Sequence, residues 1–205
     1  MELSFYLDRA REQEEAGEYV FACLSYKSAC DEAYRANDDA MCADILVRQA
    51  RCYECRGNFK EACISYSAAW RHTLNLGDEE LTLDIVGFLQ EAERNVDVKQ
   101  RFDRLDKHCR ILCDNNQVAR AEKVLGRLLR LLRQERDCGW FAAAVRLLFG
   151  ECKMRQYGAT TTKEALANAN KARDVAIEWP YQACWLLQRI SDMEGLCRVR
   201  IALQK

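Results

Sequence analysis

Residues that break helices are scarce in this chain. Its 205 residues include one proline and nine glycines, so few positions interrupt a helix by lacking an N–H group or by favouring unusual backbone angles. No segment alternates apolar and polar residues with the period of two that a half-buried strand requires. The chain is therefore predicted to be all-α, with long helices joined by short turns.

Long apolar runs and a secretion signal are also lacking. No run approaches the roughly 20 apolar residues that a membrane-spanning helix needs, and the chain opens directly into an amphipathic pattern. These absences predict a soluble intracellular protein, cytoplasmic or nuclear, without membrane insertion. The twelve cysteines lie within helical patterns, and we expect reduced thiols that pack as small apolar side chains.

Motifs for catalysis and for cofactors are scarce as well. The two histidines, His72 and His108, belong to no Gly-x-Ser-x-Gly or His-Glu-x-x-His motif, and no glycine-rich loop offers a phosphate site. Cys109 follows His108, but adjacent helical residues point about 100° apart. Cys52 and Cys55 form the only Cys-x-x-Cys, whereas a zinc site needs about four ligands. We therefore expect no enzymatic activity, no metal site and no cofactor.

What the chain does contain is an internal repeat. Residues 17–29 and 57–69 both read Gly-x-aromatic-x-x-Ala-Cys-x-Ser-Tyr-x-x-Ala, an offset of forty residues that is typical of helical hairpin repeats. The glycine is expected to end one helix in the left-handed conformation. The alanines and the tyrosine recur at i, i+4 and i+7, which predicts one buried helical face in each copy. These residues are Ala22, Tyr26 and Ala29, and Ala62, Tyr66 and Ala69.

The helix before the second glycine carries a matching pattern, with Leu46, Ala50 and Tyr53 at i, i+4 and i+7. Together with the repeat, residues 46–69 resemble the tetratricopeptide repeat, in a variety whose period exceeds the usual figure of about 34 residues. In the first copy Gln13 stands where the aromatic residue of the first helix belongs. The long helices are also similar, more weakly, to those of the vesicle-fusion SNAP adaptors.

The tetratricopeptide resemblance implies a right-handed superhelix of antiparallel helix hairpins, an α-solenoid that forms a single domain over residues 1–205. Predicted repeats cover approximately 3–36, 43–77, 98–136 and 141–178, with an extra helix over 79–96 and a C-terminal capping helix over 181–203. Asn116 is expected to take the left-handed position of the turn glycine in the third repeat. Pro180 suits the first turn of the last helix.

Charge is unevenly distributed, although the net charge is −1. Residues 1–96 contain 10 Lys and Arg against 19 Asp and Glu, a net of −9, whereas residues 99–136 contain 11 against 5, a net of +6. The basic residues recur at helical spacing opposite an apolar face, which indicates either a solvated surface or a docking face for an acidic partner. They are Arg120, Lys123, Arg127, Arg130, Arg133 and Arg136.

The tetratricopeptide resemblance also implies a binding site. In that family the first helix of each hairpin lines a concave groove, and the position six residues before each turn residue is Arg11, Arg51 and Arg110. Glu54 lies three residues before its turn. Arginines at one register are suited to bidentate binding of carboxylates. The alternative is that these arginines form internal salt bridges.

These observations predict a protein–protein interaction scaffold or adaptor, a subunit of a larger complex that binds a peptide or helix of a partner. The partner segment is expected to carry acidic residues. One alternative is a nucleic-acid-associated module that uses the basic helices over 99–136. Another is a SNAP-like adaptor for coiled-coil bundles. The acidic first half and basic second half also allow head-to-tail self-association.

Overall fold

The computed structural model describes residues 2–132, 139–156 and 159–203, and these ranges contain nine α-helices and no strand. The prediction of an all-α protein is thereby confirmed. The first helices are α1 (Glu2–Glu15), α2 (Tyr19–Arg35), α3 (Asp39–Cys55), α4 (Phe59–Leu76) and α5 (Glu79–Asp114). They are followed by α6 (Val118–Leu132), α7 (Gly139–Met154), α8 (Ala159–Ile177) and α9 (Cys184–Leu203). Within the described ranges, no helix has the length and apolarity needed to cross a membrane.

The helices belong to two compact units, a first unit Met1–Asp97 and a second unit Val98–Lys205. In the first unit α1, α2, α3 and α4 pack successively, each against its neighbour in sequence. In the second unit α6, α7, α8 and α9 do the same. Sequential packing of antiparallel neighbours is the arrangement that short turns between long helices produce. The single domain over 1–205 stays a prediction, and each unit is described by itself.

Left-handed residues end the helices of the first unit at intervals of twenty. Gly17, Asn37, Gly57 and Gly77 have φ of +73°, +52°, +71° and +69°. After Gly17, the N–H of Glu18 donates to the carbonyl of Gln13 at 2.7 Å, and the same six-to-one bond recurs at the next two turns. Asn116 has φ +57°. The predicted left-handed glycines and the predicted substitution by asparagine are confirmed.

Replacing Gly17 by alanine isolates the backbone cost of this turn, because a Cβ at that position would meet no atom within 4 Å. We expect Gly17→Ala to lower the free energy of unfolding by about 1–2 kcal/mol. Gly87 is the matched control, since it lies inside α5 and its added Cβ also meets nothing within 4 Å. There the same change should stabilise the helix by about 1 kcal/mol. Urea titrations of both variants check the opposite signs; two changes of the same sign would contradict this account.

Aspartates cap the N-termini of two helices, α3, which is the first helix of the second hairpin, and α5. The Oδ1 of Asp38 accepts from the N–H of Met41 at 2.9 Å, and that of Asp78 accepts from Leu81 at 3.0 Å. Each carboxylate satisfies an N–H that has no partner inside its helix. The two caps lie forty residues apart, so the repeat extends to the helix starts.

The core of the first unit consists of the predicted stripes. Ala22, Tyr26, Ala29, Ala62, Tyr66 and Ala69 are all buried. Leu46 and Ala50 are buried too, and Tyr53 is half-buried and packs against both neighbouring clusters. The small alanine side chains let neighbouring helices approach closely, and each tyrosine fills the space beside them. The helical faces predicted from the repeat are therefore the faces that pack.

The structure has one continuous helix, α5, where the sequence predicts an extra helix over 79–96 and the first helix of the third repeat from 98. No glycine or proline stands between Ala92 and Lys99, so nothing at that point disfavours helical backbone angles. The division between the two units falls within this helix. Residues 133–136, the end of the predicted third repeat, lie outside the described residues.

The second unit packs α7 and α8 through small residues. Ala165, Ala169 and Ala172 of α8 are buried, as their spacing predicts. On α7, a Cβ added to Gly150 would lie 3.1 Å from the carbonyl oxygen of Ala165, so the two backbones are close. At the end of α8, the N–H of Ala183 donates to the carbonyl of Trp179 at 3.0 Å. This turn delays the last helix, which begins at Cys184 and not at the predicted residue 181.

Candidate functional site

A groove between α3 and the beginning of α5 is the candidate site in the first unit. Its volume is about 390 Å³. Six of its ten lining residues are apolar, and two arginines and two aspartates add charge. These residues are Ala40, Ala43, Asp44, Val47, Arg48 and Arg51 of α3, and Leu81, Asp84, Ile85 and Phe88 of α5. We call this site the α3–α5 groove.

Arg51 is the predicted site residue that lines this groove. Its guanidinium carbon lies 5.5 Å from the centre of the Phe88 ring, within the distance for a cation–π interaction. One turn earlier, Arg48 donates through Nε to the Oδ2 of Asp44 at 3.1 Å. Both arginines are half-buried. The stacking on Phe88 holds Arg51 along the groove, and a planar guanidinium is the donor geometry that binds a carboxylate.

Glu54 is not among the residues that line this groove and is buried, with only 4% of the residue exposed. Its Oε2 accepts a hydrogen bond from the hydroxyl of Tyr66 at 3.1 Å. Burial raises the pKa of Glu54 to about 7, whereas the Tyr66 hydrogen bond and Arg51 act to lower it and Glu91 acts to raise it. The predicted groove residue Glu54 is thus placed in the interior, because α4 brings the repeated tyrosine against it.

Arg11 and Arg110 lie elsewhere. Arg11, on α1, is not among the residues that line the α3–α5 groove, and its Nη1 lies 3.8 Å from Asp8 Oδ1. Arg110 belongs to the second unit, where its Nη2 lies 3.1 Å from Asp106 Oδ2. Both ion pairs join exposed arginines to aspartates of the same helix, and such pairs contribute little. The groove of the first unit therefore holds one of the three predicted arginines.

A second cavity, of about 340 Å³, lies between α5, α7 and α9 of the second unit. Arg189 lines this cavity and binds two carboxylates. Its Nε donates to Glu151 Oε1 at 2.6 Å, and its Nη2 donates to Asp106 Oδ1 at 2.9 Å. Burial acts to raise the pKa of Asp106, but hydrogen bonds from Arg189 and Arg110 lower it below the ordinary value. This network joins three helices and neutralises the carboxylates at the cavity.

The predicted basic face lies on α6. Arg120, Lys123, Arg127 and Arg130 are all exposed, whereas Ala121, Leu125 and Leu132 of the same helix are buried. Arg120 donates to the side-chain oxygen of Gln117 at 3.0 Å. Within the described ranges, none of the four is within 4.0 Å of a carboxylate oxygen. Arg133 and Arg136, which continue the predicted stripe, lie outside the described residues. The four described cations form one solvent-facing stripe.

The cysteines and histidines considered for metal binding or thiol chemistry are described next. Cys52 and Cys55 are both buried in α3, and His72 Nδ1 lies 2.6 Å from Asp39 Oδ1. No metal-binding group of three or more His, Cys, Asp or Glu occurs in the described part of the chain. Cys109 is buried while His108 is exposed, so the two point apart as helix geometry predicts.

Sequence reasoning missed the α5 side of the groove. In the predicted extra helix over 79–96, Leu81, Ile85 and Phe88 stand at i, i+4 and i+7, which is the spacing of one apolar helical face. The periodicity contained that signal. It did not reveal that this stripe faces α3 beside Arg48 and Arg51, since the approach of α5 to α3 is a tertiary contact.

A scan of protein-family models and searches of curated proteins and of solved structures found no match to this chain.

Proposed function

We propose that this protein is a non-enzymatic interaction scaffold that binds a peptide or helical segment of a partner protein in the α3–α5 groove. One observation carries the proposal: Arg51, a site residue predicted from its register before a turn, lines a groove whose lining is mostly apolar. Such a site combines burial of partner side chains with a cation that selects among them.

The chemistry of the groove indicates the kind of segment that fits. Val47, Ile85 and Phe88 offer apolar contacts, and a volume of about 390 Å³ accommodates a small number of large side chains. Arg51 supplies donors for a carboxylate at the edge. The preferred segment therefore presents an apolar residue to Val47, Ile85 and Phe88, and an aspartate or glutamate to Arg51. Asp84 on the opposite helix disfavours a second acidic residue on that side.

The tetratricopeptide resemblance belongs to the same proposal. In that architecture the first helices of successive hairpins line the concave surface, and α3 together with residues 79–97 of α5 would hold these positions. We include three further features in the same proposal: right-handed superhelical winding, a capping role for α9, and a cytoplasmic or nuclear location. Its support is the sequential packing of helix hairpins with equivalent turns at intervals of twenty residues.

Affinity purification with mass spectrometry tests the groove, with Arg51→Glu compared with the wild type after circular dichroism shows that both are folded. We expect partners to be lost from the variant, because a charge-assisted hydrogen bond contributes about 1.5–3 kcal/mol, roughly 10- to 100-fold in Kd. Calorimetric titration with the recovered partner then gives the change in Kd directly.

Arg11→Glu is the matched control, since it makes the same charge change at the equivalent register outside the groove. It should retain the partners that Arg51→Glu loses. Loss from both variants would favour the arginine ladder predicted from the sequence. An unchanged partner set for Arg51→Glu would contradict the groove and favour a SNAP-like use of the helix side faces.

The exposed basic stripe of α6 favours a second candidate function, the docking of an acidic macromolecule. Arg127→Glu with Arg130→Glu tests this surface without changing the α3–α5 groove. If α6 binds an acidic protein, the double variant loses a partner that Arg51→Glu retains. Salt-sensitive binding to arbitrary RNA or DNA would instead support the nucleic-acid alternative. Sedimentation in low salt tests head-to-tail self-association, which a concentration-independent monomer mass would exclude.

A further inference from the structure

Three buried thiols meet where α5 packs against α7 in the second unit. The Sγ atoms of Cys113 and Cys152 are 3.7 Å apart. Cys109, one turn before Cys113 on α5, lines the same cavity as Cys152, and the nearby Cys152 thiol lowers the pKa of Cys109. Cys152 therefore has two thiol neighbours on the opposite helix. We call these three residues the thiol cluster.

The thiol cluster lines the cavity of about 340 Å³ described above. The three residues are only 3–7% exposed, and all three line the cavity, through which a small reagent can reach them. The volume is several times that of a water molecule, whose share of the liquid is about 30 Å³. Arg110 and Arg155 stand at the same cavity wall. A cavity of this volume can admit a small hydroperoxide.

We propose that Cys109, Cys113 and Cys152 form an oxidisable site at which a small hydroperoxide introduces a disulfide between α5 and α7. The proposal concerns a modification site separate from the α3–α5 groove. It rests on the 3.7 Å approach of two sulfur atoms, the third thiol beside them and the cavity that reaches all three.

The two steps can be assigned to particular sulfur atoms. The nearby Cys152 thiol lowers the pKa of the Cys109 thiol, although burial opposes this shift. The Cys109 thiolate attacks one oxygen of the hydroperoxide, the O–O bond breaks, and a sulfenic acid forms while the departing oxygen takes a proton. The Cys152 sulfur then attacks the sulfenic sulfur, forms the S–S bond and releases water. The two thiols lose two electrons, and the hydroperoxide gains them.

Cys113 allows the first disulfide to rearrange. Its sulfur can attack Cys152, form a Cys113–Cys152 bond and release the Cys109 thiol, so that electrons and protons balance without another reagent. A disulfide has an S–S length of about 2.05 Å. The sulfurs at 3.7 Å must therefore approach further, which side-chain rotation toward the cavity can provide. Either product ties α5 to α7 covalently.

The first unit provides a matched thiol pair. Cys23 of α2 and Cys52 of α3 are both buried in the same cluster, and the nearby Cys52 thiol lowers the pKa of Cys23. Neither is among the residues that line the α3–α5 groove. If proximity alone controlled oxidation, this pair would react together with the thiol cluster. If access through the cavity is also required, the thiol cluster should react first.

The experiment treats the reduced full-length chain with hydrogen peroxide, alkylates the remaining thiols and maps peptides without reduction. We expect the first cross-linked peptides to join Cys152 to Cys109 or Cys113. Cys152→Ser should lose both cross-links, and Cys113→Ser should shift the cross-link to Cys109. Cys52→Ser should leave these products unchanged.

Three results would overturn the proposal. In the first, Cys152 is recovered alkylated from the native protein while other thiols have become oxidised. In the second, Cys152→Ser gives the same cross-links as the wild type. In the third, the Cys152 disulfide forms only at urea concentrations that unfold the chain by circular dichroism. The serine variants of Cys109 and Cys113 provide the same test if Cys152→Ser does not fold.

Discussion

Tyr66→Ala is expected to lower the free energy of unfolding by about 3–5 kcal/mol, the range for removing a large buried aromatic side chain. Tyr66 is 1% exposed and packs among Ala50, Ala62 and Ala92. Its ring centre lies 5.8 Å from that of Phe88. The fully buried residues around it are alanines, whose side chains cannot extend into the space that the ring vacates. Urea unfolding of the full chain, followed by circular dichroism, measures the change.

The equivalent tyrosine of the first repeat, Tyr26, provides a control for removal of the Tyr66 hydroxyl. Tyr26, forty residues earlier, donates to Glu14 Oε2 at 2.5 Å, just as Tyr66 donates to Glu54 Oε2 at 3.1 Å. Tyr66→Phe should cost about 1–3 kcal/mol, because it leaves a buried acceptor without its donor. Tyr26→Phe should cost less, since Glu14 is only half-buried and water can replace the hydroxyl. A larger loss for Tyr26→Phe would contradict this role of burial.

The helices of the first unit could be predicted because their signals are local. A turn glycine and a small-aromatic-small stripe each act within one or two helical turns, and both recur at an offset of forty residues. Gly17 and Gly57 take the left-handed backbone angles expected of them. The stripes around Tyr26 and Tyr66 are buried as expected. Local patterning and tertiary packing agree there, which is the condition for reliable prediction.

The second unit was harder to predict because its organising contacts are distant in sequence. Arg189 binds Asp106, 83 residues earlier, and Glu151, 38 residues earlier. Cys113 and Cys152 are 39 residues apart. No periodic pattern encodes such pairs, since each depends on how α5, α7 and α9 pack. The continuous α5 was missed for another reason: a repeat model imposes a helix boundary where the sequence has no residue that breaks a helix.

The candidate site contains one residue that a local pattern predicts and one whose environment depends on a contact distant in sequence. Arg51 could be chosen from its register before a turn, and it lines the α3–α5 groove. Glu54 could not be placed by that register, because its environment is set by Tyr66 of the next helix. A signal did exist in the repeat, where Glu14 and Glu54 each precede a tyrosine by twelve residues. This shared spacing is the sequence signal for a hydrogen bond between each glutamate and its tyrosine.

The buried carboxyl of Glu54 predicts an unusual dependence of stability on pH. Burial raises its pKa from an ordinary value of 4.5 to about 7 in the folded chain. Between these two values the folded chain holds a proton that the unfolded chain has lost. Stability therefore falls as the pH rises from about 4.5 to about 7, because deprotonation favours the unfolded state. The total change from this group is on the order of 3 kcal/mol, at 1.36 kcal/mol for each unit of pKa.

Glu54→Gln should remove this dependence, because glutamine does not ionise in this range and its side-chain oxygen can still accept from Tyr66. Relative to the wild type, the variant should gain about 3 kcal/mol of stability between pH 4.5 and pH 8. Any constant cost of the added amide cancels in this comparison. Urea titrations at several pH values give the difference, and Glu14→Gln controls for loss of the carboxylate that faces the repeated tyrosine. Parallel stability profiles for wild type and Glu54→Gln would show that Glu54 ionises at its ordinary pKa and that its buried environment is misassigned.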